Sequence, residues 1–276
     1  MRVYISIDAE GCSGIYKLAQ VTPENPDYEF CRRMMEGDAN AAARGAFAAG
    51  ATEVVVNDAH NLGDNLRIDK LDSRVKLISG NDRPFSMMEG IAADFDAAML
   101  LGYHSRKGER GVISHTYYYS SMYEVRINGQ PVGEAEINGL LAGHFGVPLV
   151  FLSGDQCVTE NISSKVPGIR TVSTKRAIGC GAAECLHPDV TRKAIEEEVY
   201  KALFGLKDSR VKPMAQAPYT LEVQFLTPGH ASYASLLPNS QRPAPSTVRF
   251  EAENYEALFN AFLCLITLAA GFRERQ

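Results

Sequence analysis

The chain has 276 residues, with 28 basic against 33 acidic side chains and a net charge of -5. Its 45% hydrophobic and 22% charged content belongs to a folded globular protein and excludes a disordered one. The acidic balance argues against nucleic acid as the main ligand, because phosphate binding wants a basic surface. Val3 to Ile7, β-branched and aromatic, reads as a first strand. A helix is predicted from about Tyr28 to Ala49, closed by Gly50 where a C-terminal cap is expected. Strands follow at Glu53 to Val56, Val75 to Ile78, Ala97 to Leu101 and Pro148 to Leu152. Asn128–Gly129, between Tyr123–Ile127 and Pro131–Val132, marks a two-residue hairpin turn. Strands alternating with helices predict an α/β fold: a mostly parallel sheet with helices on both faces.

The last third has a different pattern. Lys207 to Pro218, basic and proline-containing, reads as a connection. A strand at Leu221 to Leu226, another at Thr247 to Glu251 and an apolar helix from about Tyr255 then predict a smaller α+β domain. The expected organisation is an α/β metal-binding domain over 1–206 and an α+β domain over 207–276. No internal repeat or low-complexity tract is visible. The apolar run Phe259 to Phe272 is interrupted by Asn260 and Thr267 and is shorter than the roughly 18 residues of a membrane span. The N-terminal apolar run ends in Asp8 and Glu10, unlike a secretory signal. The six cysteines match no zinc-ribbon or CxxC spacing and suit a reducing compartment, so a cytoplasmic location is expected.

Open parallel sheets bind ligands beyond the carboxyl ends of their strands. The first strand is followed by Asp8-Ala9-Glu10-Gly11-Cys12, the second by Asn57-Asp58-Ala59-His60, and the third clear one by Gly102-Tyr103-His104. Ser114-His115 comes a little later, then Val132-Gly133-Glu134 opening a helix. On one rim, Asp8, Glu10, His60, His104 and Glu134 would make three carboxylates and two imidazoles. Without a cation, carboxylates buried so closely repel one another. Mixed oxygen and nitrogen donors suit Zn²⁺, with Mn²⁺ or Co²⁺ as alternatives. Five side chains exceed the usual set for one catalytic ion, and a carboxylate shared by two ions accounts for the surplus. Singly, each residue has a plainer role: Asp8 or Asp58 as a turn or cap residue, His60 and His104 as half-buried core histidines. His115 is either a surface loop residue or an imidazole that donates to an oxyanion or shuttles a proton. Tyr117 to Tyr119 read as core or subunit contacts. His144 at a helix end, and His187 and His230 in turns, are expected to be structural. No GxSxG, Walker A or GxGxxG motif stands in its required context.

At these residues the chain resembles the M55 family of metallopeptidases, the D-aminopeptidases also named for a dipeptide transport protein. The matches are VYISIDAEGCSG, VVVNDAH, ISGNDRPFSMMEG, LLGYHSRKG, ISH and PVGE, with a thinner match at TVRFEAENYEALFNAF. The resemblance implies two zinc ions per subunit. Asp8 would bridge them, Glu10 and His104 would complete one, and His60 and Glu134 the other, with His115 as the catalytic side chain. It further implies ring-shaped homo-oligomers that remove N-terminal D-residues from short peptides. Two rival readings are a cytoplasmic dipeptide-binding transport accessory and another dinuclear amidase or phosphoesterase.

Overall fold

The structure is a computed structural model that describes residues 1–206 and 215–272. Residues 207–214 of the expected connection therefore lie outside the described residues. In chain order, β1 (Arg2–Ile7) leads through α1 (Tyr28–Ala48) to β2 (Glu53–Asp58), β3 (Val75–Ile78) and β4 (Ala97–Tyr103). Then come β5 (Met122–Ile127), β6 (Gln130–Val132), α2 (Glu134–His144), β7 (Leu149–Asp155) and α3 (Gln156–Lys165). β8 (Arg170–Gly179), β9 (Ala182–Cys185) and α4 (Pro188–Phe204) follow, and the chain finishes with β10 (Tyr219–Phe225), α5 (Pro228–Ala234), β11 (Gln241–Ala244), β12 (Thr247–Ala252) and α6 (Tyr255–Ala270).

Two compact units result. Among the described residues the first takes 1–105, 110–113 and 145–206, and the second takes 106–109, 114–144 and 215–272. A single boundary after residue 206, as the sequence suggests, separates β5 and β6 from their partner. The contacts group them with the C-terminal stretch because β5 pairs antiparallel with β10, Leu221 opposite Ile127.

The first unit is a seven-stranded sheet ordered β3-β2-β1-β4-β7-β8-β9, parallel except at the β8–β9 edge. β1, β2 and β4 carry apolar residues on both pleats and are almost wholly buried, as both-face-covered parallel strands are. On one face Val3, Ile5, Ile7, Val54, Val56, Met99 and Leu101 share a core with α1 and α4. On the other, Tyr4 donates to the Glu89 carbonyl at 2.8 Å and Ser6 to that of Met87 at 2.7 Å. The β3–β4 connection thus covers that pleat. Successive connections run from β1 toward β3 and then from β4 toward β8, so the winding reverses between β1 and β4. That reversal point is where a ligand crevice opens in such sheets.

The second unit is an antiparallel sheet ordered β11-β12-β10-β5-β6 with α2, α5 and α6. Asn128 and Gly129 have φ of +50° and +75°, the turn that matches strand twist. The Asn128 side chain accepts from the Thr220 amide at 2.8 Å and donates to the Gln216 carbonyl at 3.0 Å, tying the hairpin to β10. Asn254 caps α6 by accepting from Ala257, and buried Tyr255 donates to the Ile137 carbonyl of α2 at 2.8 Å. No helix among the described residues is long and apolar enough to cross a membrane.

Candidate metal centre

The ends of β1, β2 and β4 lie level. Ile7 stands opposite Asp58 and Leu101, the Asp8 amide donates to the Leu101 carbonyl at 2.8 Å, and that of Ala59 donates to Ile7. The loops after β1 and β4 then approach so closely that neither tolerates a side chain. A Cβ on Gly11 would stand 1.9 Å from the Tyr103 carbonyl oxygen, and one on Gly102 would stand 2.1 Å from that of Asp8. Gly102 also has φ of +68°, which L-residues rarely adopt. The two glycines bring Asp8, Glu10 and His104 to the winding reversal.

Asp8, Glu10, His60 and His104 meet there, with exposures of 3%, 3%, 8% and 2%. Nδ1 of His60 is 3.2 Å from Oδ1 of Asp8 and 3.3 Å from Oε2 of Glu10. Nε2 of His104 is 3.4 Å from Oδ2 of Asp8. The two oxygens of Asp8 therefore face two different imidazoles. Ligand atoms of Asp8, Glu10 and His104 all lie within 4.8 Å of one another. An ion about 2.0–2.2 Å from nitrogen and oxygen ligands spaces tetrahedral neighbours about 3.3–3.6 Å apart. The observed separations agree with that spacing, so these residues fit zinc in both donor type and position.

The electrostatics agree. Burial pushes the Asp8 carboxyl up, but hydrogen bonds from His104 and His60 outweigh it and hold Asp8 far below the usual carboxylate range. Burial opposes charge on His60, yet Glu10 and Asp8 hold this imidazole well above its ordinary range. The cluster demands positive charge, which a proton or a metal cation supplies.

Surrounding bonds fix which imidazole nitrogen faces inward. Nε2 of His60 is 2.8 Å from the Val21 carbonyl and Nδ1 of His104 is 2.9 Å from the Ser105 carbonyl. A carbonyl only accepts, so those nitrogens carry the protons and the opposite ones face the carboxylates. The loop bearing His60 is closed by Asp58, whose carboxylate accepts from the amides of Asn65 and Leu66 at 2.7 Å each. Asn65 in turn donates to the His60 carbonyl at 2.7 Å, and Arg83 donates to the Asp58 carbonyl at 2.6 Å. Asp58 is thus a brace rather than a member of the cluster. Cys12, beside the site, is buried and its thiol is pushed up by burial; Sγ donates to the Asp8 carbonyl at 3.0 Å.

His115 and Glu134 belong to the second unit. Glu134 opens α2, is 2% exposed, and accepts from the Tyr117 amide at 2.5 Å. Carboxylates in a first helical turn are favoured by the helix dipole. Nε2 of His115 is 4.0 Å from Oε1 of Glu134. Tyr117 packs edge-on against Phe262 at 4.9 Å, whereas Tyr118 and Tyr119 are exposed. His144 ends α2 and pairs with Glu256 at 3.5 Å. His187 and His230 are more ordered than turns. The former caps α4, accepting from Asp189, and the latter lies within α5, its Nδ1 2.8 Å from the Thr227 hydroxyl.

The family model for peptidase M55, described as D-aminopeptidase, matches residues 1–264. The chain belongs to this family. It is accordingly a hydrolase of the peptidase class. A D-aminopeptidase of Bacillus subtilis (strain 168) is 34% identical over 272 residues, 98% of each chain. A solved structure from Bacillus subtilis, of the Zn-dependent D-aminopeptidase DppA, a self-compartmentalizing protease, superposes on this M55 chain with a TM-score of 0.95. That pair is also 34% identical and covers 100% of both chains.

Proposed function

We propose that this M55 peptidase is a dinuclear zinc aminopeptidase of the cytoplasm that removes N-terminal D-residues from short peptides. The observation that carries the reading is Asp8, whose two buried oxygens face separate imidazoles, as a bridging ligand requires. On the family resemblance, Asp8, Glu10, His60, His104 and Glu134 would hold the zinc, with Glu10 and His104 assigned to one ion and His60 and Glu134 to the other. The Zn-dependence of the similar Bacillus protein supports zinc over Mn²⁺ or Co²⁺. Zinc, when bound, makes water nucleophilic near neutral pH and polarises a carbonyl.

The chain's own groups do the rest. The carboxylates hold the dications and leave their site a net charge low enough to accept the free amine of a peptide. Val21 and Ser105 accept from the outward nitrogens of His60 and His104, which leaves the inward nitrogens to take a metal cation in place of a proton. His115 donates to the carbonyl oxygen as negative charge develops there, or gives its proton to the departing amine. Short peptides as substrates agree with a ring-shaped homo-oligomer, a reading supported by the self-compartmentalizing relative. The six free cysteines agree with a reducing cytoplasm.

Zinc quantitation on the purified protein, with D- and L-aminoacyl anilides and phosphate esters as substrates, tests the proposal. The expected result is two ions per chain and turnover confined to aminoacyl substrates, D over L. A single ion per chain refutes the dinuclear centre, and turnover of the phosphate esters alone refutes the peptidase assignment of the site.

A further inference from the structure

Lys175, on β8, is 2% exposed, and a lysine so enclosed is rare without an anionic partner. Among the described residues it forms no ion pair with a carboxylate. Its Nζ donates instead to two carbonyls of the loop after β1, Glu10 at 2.6 Å and Cys12 at 2.8 Å. The residue before it, Thr174, is wholly buried, and its hydroxyl lies 2.7 Å from the carbonyl of Gly11, between those two, and 3.0 Å from that of Gly154. The remaining carbonyls of the loop are held within it: Asp8 by the Cys12 thiol and Ala9 by the Cys12 amide at 3.0 Å. Every carbonyl from Asp8 to Cys12 is thereby engaged, three of them by two adjacent side chains of one strand.

We infer that Lys175, assisted by Thr174, is a positioning residue for the metal-binding loop, setting the carboxylates of Asp8 and Glu10 for zinc. The inference rests on the zinc reading above. A loop needing only mechanical support is served by neutral donors such as Thr174. Burying an ammonium against neutral carbonyls is costly, and the buried carboxylates of Asp155 and Asp38 favour its charge there, so the ammonium is kept where its bonds to the Glu10 and Cys12 carbonyls need it. Partners one step removed from metal ligands typically change metal affinity about 10–100-fold when removed.

Lys175→Met keeps the length and burial of the side chain and removes the donors. Three measurements apply: zinc affinity by chelator competition, kcat and KM for one peptide at saturating zinc, and thermal unfolding of metal-free protein. The expected result is zinc affinity about 10–100-fold weaker with kcat reduced and KM unchanged. Thr174→Val is expected to weaken zinc in the same direction by less. A folded Lys175→Met protein with parental zinc affinity, altered only in its metal-free unfolding temperature, overturns the inference. If Lys175→Met does not fold, Thr174→Val decides: parental zinc affinity there overturns it. Failure of the unmodified protein to take up zinc overturns the zinc reading itself, and this inference with it.

Discussion

The two units carry their reactive groups in contrasting ways. In the first, Asp8, Glu10, His60 and His104 sit at the ends of fully buried strands, and each imidazole is held from behind by a backbone carbonyl. In the second, Glu134 is anchored at a helix start by the Tyr117 amide, while His115 stands in a loop before exposed Tyr118 and Tyr119. Metal ligands need fixed distances, and rigid strand ends supply them. A proton-transfer group must instead adjust to a substrate, and a loop suits it. On the proposed reading, the first unit supplies four of the five metal ligands, while the second supplies Glu134 and the group that acts in turnover, His115.

That assignment is open to direct attack. Asp8→Ala is expected to lose both ions and all activity, whereas Glu134→Ala loses one ion and keeps the other. Metal analysis checks the pair, and equal losses would erase the distinction between the units. His115→Ala is expected to retain its zinc and lose about 10²–10⁴-fold in turnover. Unchanged turnover, measured with the same peptide, removes His115 from the chemistry. A charge pair of the first unit outside the cluster should behave differently again. The Asp72 carboxyl is held down to about 2 by its hydrogen bond to Arg74. Its contribution to stability is present above its ordinary value of 3.8 and is lost as pH falls through about 2. Asp72→Asn should therefore cost only about 0.2–1 kcal/mol near neutral pH, flatten the acid limb of the unfolding curve, and leave zinc content alone. Altered zinc content in this variant would show that ligand placement is not local to the strand ends.

Much of the first unit was legible because its signals are local. Compact apolar strands at Val3–Ile7 and Ala97–Leu101, each ending in an acidic or imidazole residue, announce both the sheet and the rim. The Gly50 stop and the Asn128–Gly129 turn stand where their conformations require them, with φ of +95° at Gly50. The elements between Gln156 and Phe204 leave a weaker trace in the sequence. β8 and β9 form a largely exposed edge and lack a clean apolar pattern. α4 did carry a start signal in His187-Pro188-Asp189, since proline suits the first helical position. The braces were hidden for another reason. Lys175 meets Glu10 across 165 positions of sequence, and no periodicity encodes such a contact. Asp58 was visible as a strand-end acid, but its bonds to Asn65 and Leu66, rather than to the cluster, follow from the loop's path alone.

The pairing of β5 with β10 has a consequence for biosynthesis. The β5–β6 hairpin and the start of α2 are translated well before β10, and Asn128 waits for Thr220, 92 positions later. A lone hairpin is marginal in water. On the ribosome the first unit's strands β1 to β4 emerge early, while the segment bearing His115 and Glu134 stays unsupported until the chain is nearly finished. A truncated chain therefore carries Asp8, Glu10, His60 and His104 but not the folded support of His115 and Glu134, so on the proposed reading unfinished protein lacks peptidase turnover.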